Sequence, residues 1–222
     1  MKKLTSPFQL IKKSIDLFSK KENFVFLAKV YLPMVIFPIL SIIFSYLPFF
    51  TKNVDSSWFT TLKLVVSIID AAAGVFFMAA GVLAIANVID GKVISLKEVF
   101  KNAWKTFWPL LFLSVVLGIL YTLGFVLLVV PGVLLVVWLA FSRFIMIEKG
   151  TGIKESMIES KSITKGYFWK ILWRLIIFSL FTLLVEIILN IVPFGIGLIV
   201  YAICGGLFLL PIYFLYREIS VQ

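Results

Sequence analysis

Two carboxylates, Asp70 and Glu186, lie inside apolar stretches of this 222-residue sequence, and they are the residues best suited to chemistry. Ser67 and Gly74 share a helical face with Asp70, and Asn190 lies one turn beyond Glu186. An ionised carboxylate in an apolar environment is costly unless it is paired or solvated. Two interpretations follow. The acids could share a cavity and relay protons or bind a cation, or each could be a protonated acid that bonds to a neighbouring helix.

Two cations, Lys29 and Arg143, also lie within or beside apolar stretches, and both side chains are long enough to extend to lipid headgroups. Other catalytic chemistry is sparse. There is no histidine, which is the commonest general base and metal ligand, so the single cysteine, Cys204, has no histidine to activate it. The sequence predicts no catalytic residue, no metal site and no cofactor.

The composition predicts an integral membrane protein. Apolar residues make up 62% of the chain and charged residues 14%, whereas soluble domains are closer to half apolar and a quarter charged. Lipid must therefore cover part of the apolar surface. The net charge is +10, and the cations lie between apolar stretches, as in proteins that face an anionic leaflet. We expect membrane lipids of an anionic inner leaflet as partners, and no nucleic acid.

Six apolar runs are candidates for membrane-crossing helices. They predict an all-α, polytopic helical bundle that forms a single membrane domain over residues 1–222, with spans at about 24–50, 59–88, 106–130, 132–147, 168–192 and 196–216. Pro131 and Gly132 interrupt a stretch that is too long for one crossing, so we expect a tight hairpin there. Pro193 and Gly195 separate the last two runs in the same way.

The distribution of cations predicts the orientation. Eighteen Lys and Arg residues flank the N-terminal segment, the second and fourth connections and the C-terminus, whereas the opposite side carries only Lys52 and Lys63. Positive segments stay in the cytoplasm. We therefore expect a multi-pass protein of the cell membrane with both termini cytoplasmic.

Amphipathic segments precede several of these runs. Ser6 and Pro7 are typical of a helix start, and Phe8 and Ile15 lie on one face of the helix that follows. Ser95 and Glu98 match a capping box before a second such segment. We expect both segments to be separate helices in the cytoplasmic interface. A third segment, near residues 153–164, has a face of small side chains that suits packing against protein.

A stretch around the fourth run resembles a known family. Pro131 and Gly132 precede an apolar helix, and Ser160 and the pair Lys165–Gly166 follow before the next span. This pattern, over roughly residues 125–173, is similar to the membrane domain of glycerophosphoryl diester phosphodiesterases and its stand-alone bacterial and archaeal relatives. The resemblance implies a membrane topology. It does not imply the phosphodiesterase activity, which belongs to a separate soluble barrel with histidines and clustered carboxylates.

The sequence favours a non-enzymatic membrane protein that organises lipid or supports a membrane partner, which could be another protein or a second copy of the chain. The alternative is a small transporter or channel that uses Asp70 and Glu186, and it requires a water-accessible path to both acids. An enzyme acting on lipid headgroups is a poorer fit, because two isolated carboxylates are a weak basis for phosphoester chemistry.

Overall fold

All regular secondary structure in the described chain is helical, as the sequence predicts. The structure is a computed structural model that describes residues 4–37, 39–40, 43, 56–92, 94–191 and 196–220, so the predicted turn at Pro193 and Gly195 lies outside the described residues. The helices are α1 (Pro7–Ser19), α2 (Lys21–Tyr31), a 3-10 helix (Leu32–Val35), α3 (Ser56–Ile89), α4 (Leu96–Leu127), α5 (Val129–Trp138), α6 (Ser142–Lys149), α7 (Ile153–Thr164), α8 (Phe168–Asn190), α9 (Ile196–Ile203) and α10 (Gly205–Ser220).

Four segments of the described chain are long and apolar enough to cross a membrane, namely Thr60–Ile89, Leu96–Leu127, Val129–Lys149 and Phe168–Asn190. Large apolar side chains on these helices face outward, and Leu64, Phe112 and Leu184 are each close to 60% exposed. Water would penalise so much exposed apolar surface, whereas lipid does not. These features indicate a multi-pass membrane protein.

The second predicted interfacial helix is not a separate element. The capping box forms as predicted, since the Ser95 hydroxyl accepts a hydrogen bond from the backbone N–H of Glu98. However, α4 then continues without a break to Leu127, a length of about 48 Å, which exceeds the ~30 Å hydrocarbon core. The exposed Trp104 and Trp108 are typical of the lipid–water boundary. The part of α4 before these tryptophans therefore extends beyond the hydrocarbon as a continuation of the span.

The hairpin between α4 and α5 turns at Leu128, not at the predicted Pro131 and Gly132. Leu128 has an extended backbone, with φ −170° and ψ 156°, and Pro131 lies in the first turn of α5. Proline is tolerated there because the first N–H groups of a helix have no partner within it. Gly132 instead permits close approach, since a Cβ on Gly124 would lie 3.0 Å from the Gly132 Cα atom.

Three predicted spans are interrupted. The run at 132–147 consists of α5 and α6, separated by residues 139–141, and the run at 196–216 consists of α9 and α10, separated at Cys204. In the run at 24–50, α2 ends at Tyr31, because Pro33 in the 3-10 helix has no N–H to continue the α-helical pattern. The rest of that run lies largely outside the residues that the structure describes.

Helix α1 packs against protein on one side. Its buried side chains are Leu10, Ser14 and Phe18, and they face α10. The predicted apolar face through Phe8 and Ile15 is present, and both residues are exposed. Phe18, one turn after Ile15, is buried together with Leu10 and Ser14. Helix α1 therefore has two apolar sides, one packed against the bundle and the other exposed to the surroundings.

Tyr31 joins α3 to the junction of α9 and α10. A Cβ on Gly81 would lie 1.9 Å from the Tyr31 hydroxyl oxygen, and a Cβ on Gly205 would lie 2.9 Å from the Tyr31 ring. Gly206 contacts the same ring, which is almost fully buried. The ring therefore occupies space that exists only because these three positions lack side chains.

We expect Gly81→Ala to lower the melting temperature and Gly74→Ala to leave it unchanged or raise it. The Gly81 methyl group would overlap Tyr31, which the backbone of Gly205 prevents from moving aside, and overpacking costs ~1–3 kcal/mol. Gly74 lies two turns earlier on the same helix, and none of the described residues comes within 4 Å of its Cβ position. Alanine there therefore adds only helix propensity, up to ~1 kcal/mol. Circular dichroism melts in detergent measure both variants. Equal melting temperatures would contradict the Tyr31 contact.

Candidate functional site

Asp70 lines a cavity of about 560 Å³ between the helices, which we call the Asp70 cavity. Its walls come from the end of α2, the 3-10 segment and Phe37 after it, α3, α8, α9 and α10. Its size is that of a typical small-molecule pocket, ~300–1,000 Å³. Apart from Asp70, its side-chain oxygens come from Thr182 and two tyrosines, Tyr31 and Tyr201. The other walls are glycine or apolar residues: Met34, Phe37, Gly74, Phe77, Met78, Ala202, Gly205, Phe208, Leu209 and Ile212.

The structure brings Glu186 to the edge of this region but not into the cavity wall. Thr182, one turn before Glu186, lines the cavity, and the charge of Glu186 is close enough to act on the Tyr201 hydroxyl. Glu186 is itself exposed, and the exposed Asn190 donates to its backbone carbonyl at 2.9 Å. Tyr201 shares the cavity wall with Asp70 and is close to Glu186, and among the described contacts there is no hydrogen bond between the two acids.

Gly74 faces the Asp70 cavity, whereas Lys29 is exposed. Among the described residues, no atom lies within 4 Å of the Gly74 Cβ position. Lys29 lies in the last turn of α2 and is exposed. It does not line the Asp70 cavity, and it forms no ion pair with another described residue. Its position agrees with a side chain that extends outward.

A charged network closes one end of the bundle, and we call this region the charged end. Arg217 near the end of α10 donates to Asp90, which follows α3, and its guanidinium lies 3.6 Å from the Glu148 carboxylate of α6. The buried Tyr213 hydroxyl also donates to Glu148. The network links three helix ends that are far apart in sequence. This network is not predicted from the sequence. The one signal there is the four-residue spacing of Tyr213 and Arg217, which places both side chains on one helical face.

The two ends of the described chain meet at the charged end. The backbone N–H of Thr5 donates to the Glu218 carboxylate at 2.8 Å. The buried Arg174, in the second turn of α8, donates to the carbonyl oxygens of Leu4 and Thr5 at 2.9 and 3.0 Å. Arg174 thereby gains partners that an isolated cation in α8 would lack. In the sequence, Arg174 contributes only to the set of cations that predicts the orientation.

The residues of the family-like pattern serve the packing of one region. Gly132 is buried against Phe125 and Gly124 of α4. Pro131 lies in the first turn of α5, as described above. Gly166 follows α7 with φ +87°, a backbone conformation that favours glycine, and the preceding Lys165 is exposed as the C-cap of α7. None of these residues lines the Asp70 cavity.

Ser160 supplies hydrogen-bond partners for the backbone groups at the break between α5 and α6. Its hydroxyl donates to the Trp138 carbonyl at 2.8 Å and accepts from the Phe141 backbone N–H at 3.2 Å. In an unbroken helix the Trp138 carbonyl would accept from Ser142, but the Ser142 N–H is bonded to Leu139 instead. The buried face of α7 thus supplies a hydrogen-bond partner that the bilayer would not. This confirms the predicted packing of that face against protein.

Within the described ranges, no three His, Cys, Asp or Glu side chains come together as a metal ion would require. Comparison with protein-family models, with curated proteins and with solved structures finds no match to this chain. The resemblance of residues 125–173 to the phosphodiesterase membrane domain thus stays an expectation from the sequence.

We expect Ser160→Ala to destabilise the protein more than Ser156→Ala. Removal of the Ser160 hydroxyl leaves a buried carbonyl and a buried N–H without partners, at ~1–3 kcal/mol each. Ser156 is equally buried, but its hydroxyl bonds only to nearby Gly152 and Thr151. Thermal melts would give the stabilities, and hydrogen–deuterium exchange should accelerate at residues 139–145 in Ser160→Ala alone. Unchanged exchange there would contradict the assigned role of Ser160.

Proposed function

We propose that this chain is a non-enzymatic membrane protein that holds a lipid molecule in the Asp70 cavity and organises lipid around it. The observation that carries the proposal is the cavity itself, which is large, apolar over most of its wall and polar at few points. Water gains little in such a cavity, whereas an acyl chain replaces lost dispersion contacts. Asp70 and Tyr201 could then bond to a hydroxyl or ammonium group of the lipid.

The proposed topology has six crossings, with both termini in the cytoplasm. The contact between Thr5 and Glu218 supports an even number of crossings, because it joins the two ends of the described chain. The exposed Trp169 and Trp173 at the start of α8 support a membrane boundary close to the charged end. The excess of cations on the same set of connections supports a cytoplasmic location for that end.

The cytoplasmic side of this topology offers a surface for anionic lipid. Lys92, Lys101 and Lys105, with Asn87 and Asn102, line a polar hollow of about 620 Å³ beside the connection from α3 to α4. Glu98 shares it and lowers its net charge. Each lysine near an anionic leaflet contributes about 1 kcal/mol of attraction. The proposed protein would thus contact lipid both between its helices and at its basic face.

We expect Gly74→Phe to exclude lipid from the Asp70 cavity without disturbing the fold. The new ring would enter the cavity, since no described residue lies within 4 Å of the Gly74 Cβ position. Gly118→Phe is the matched control, because Gly118 lies in α4 with equally open space but is exposed on the outer surface.

The measurement is photocrosslinking in vesicles that contain a phospholipid with a diazirine on its acyl chain. Peptides with Tyr201 and Phe208 should crosslink in the wild type and in Gly118→Phe, and several-fold less in Gly74→Phe. Crosslinking at the outward Phe112 should be the same in all three. Wild-type crosslinks confined to outward residues such as Phe112 would refute the lipid-holding role.

A transporter or channel is the second candidate, and the position of Asp70 favours it. The acid lies in a cavity wall, is exposed, and has Glu186 near the same tyrosine. A cavity that served transport of a polar solute would contain water, whereas one that holds lipid would exclude it.

Thiol labelling separates the two candidates. In a Cys204→Ser background, we expect Asp70→Cys and Glu186→Cys to resist a membrane-impermeant thiol reagent applied from either side. Lys92→Cys is the control for sidedness, because that side chain is 71% exposed, and it should react only from the cytoplasmic side. Rapid labelling at both acid positions would favour transport, and labelling of Lys92→Cys from outside would overturn the orientation.

A further inference from the structure

Arg143 lies beside a second cavity, of about 340 Å³, which we call the Arg143 cavity. It is the second residue of α6, just after the break that Ser160 caps. Tyr121 of α4 lines the same cavity, and its hydroxyl group is close enough to interact with the charge of Arg143. The remaining walls are apolar side chains, among them Leu117, Leu175 and Leu209.

Among the chain's three arginines, Arg143 differs from the other two. Arg174 donates to backbone carbonyls, and Arg217 pairs with two carboxylates. No described residue accepts a hydrogen bond from the Arg143 guanidinium, and its Nε atom is buried without a partner. Glu148 on the same helix is already engaged by Arg217 and Tyr213.

A guanidinium in this position needs a compensating charge. Arginine stays protonated at any physiological pH, and a cation inside the membrane costs several kcal/mol unless it reaches water, headgroups or an anion. The fork of N–H donors matches the two oxygens of a phosphate or carboxylate. The apolar walls around it would accommodate the chains attached to such a group.

We infer that the Arg143 cavity binds the phosphate of an anionic lipid, with the guanidinium and the Tyr121 hydroxyl as its donors. The Arg143 cavity adjoins the Asp70 cavity, since Met78, Leu209 and Ile212 line both. An acyl chain of the lipid lies along these shared walls. Anion binding at Arg143 stands independently of whether the Asp70 cavity holds a lipid of its own.

The depth of Arg143 agrees with a lipid phosphate from the inner leaflet. Arg143 precedes Lys149, the last residue of α6, by six residues, or about 9 Å along the helix. Lys149 lies at the charged end and pairs there with Glu159. A phosphate at Arg143 thus lies slightly below the proposed cytoplasmic boundary, within reach of a lipid that enters between the helices.

The test uses delipidated protein in an uncharged maltoside detergent, titrated with phosphatidic acid and followed by thermal melts. Diacylglycerol with the same chains supplies the lipid without its phosphate, and inorganic phosphate supplies the anion without the chains. The variants are Arg143→Leu and Arg143→Lys, and Lys154→Gln is the control for loss of an exposed cation from another helix.

We expect phosphatidic acid to raise the melting temperature of the wild type and Lys154→Gln equally. Half-saturation should need at least about tenfold more lipid in Arg143→Leu, because charge-assisted hydrogen bonds are lost. Without added anion, Arg143→Leu should melt no lower than the wild type, since it removes a half-buried cation from which no described residue accepts a hydrogen bond. Arg143→Lys keeps the charge but not the fork, so its half-saturation should lie between the two.

Several results would overturn the inference. Equal stabilisation of the wild type and Arg143→Leu by phosphatidic acid would show that the lipid binds elsewhere. Equal stabilisation of the wild type by diacylglycerol would show that the phosphate is not recognised. Inorganic phosphate acting at the same concentration as phosphatidic acid would replace the lipid with a free anion. If Arg143→Leu does not fold, Arg143→Lys decides alone, and wild-type binding in it would exclude the bidentate contact.

Discussion

The low availability of hydrogen-bond partners inside a bilayer is the constraint on which the structure depends. Wherever a helix breaks or a cation lies within an apolar region, the protein must supply the partner. Ser160 supplies both a donor and an acceptor at the break between α5 and α6. The N-terminal carbonyls of Leu4 and Thr5 do the same for Arg174. These contacts are made between segments distant in sequence, so they also hold the bundle together.

Close approach of helices is the second requirement, and glycines meet it. Hydrophobic burial drives little association between helices in lipid, so packing contacts between them matter more. Gly124 and Gly132 bring α4 and α5 together after a single extended residue, and Gly81 and Gly205 enclose the ring of Tyr31. Gly74 is the exception, because the space beside it is open. That open space belongs to the Asp70 cavity, so the same helix provides tight packing at one level and a cavity at another.

Two adjoining cavities in the bundle differ in their polar groups. The Asp70 cavity offers a carboxylate and hydroxyls, and the Arg143 cavity offers a guanidinium and a hydroxyl. Met78, Leu209 and Ile212 line both, so an acyl chain in contact with one would also approach the other. The proposed lipid binding would account for both cavities together with the apolar outer surface and the basic end. A polar solute in these cavities would contact the same apolar side chains, so the cavities suit a polar solute less well than a lipid.

The sequence by itself determined the helical class, the apolar segments that became α3, α4 and α8, and the capping box at Ser95. These features depend on local composition and on contacts within a few residues, which periodicity reports directly. Only the tertiary structure decided that Pro131 lies inside the first turn of a helix, that the run at 196–216 divides at Cys204, and that α1 buries Leu10 and Ser14. It also decided that Asp70 faces a cavity while Arg143 has no described acceptor. Those outcomes depend on which distant backbone or side chain lies opposite, and a single sequence does not carry that information.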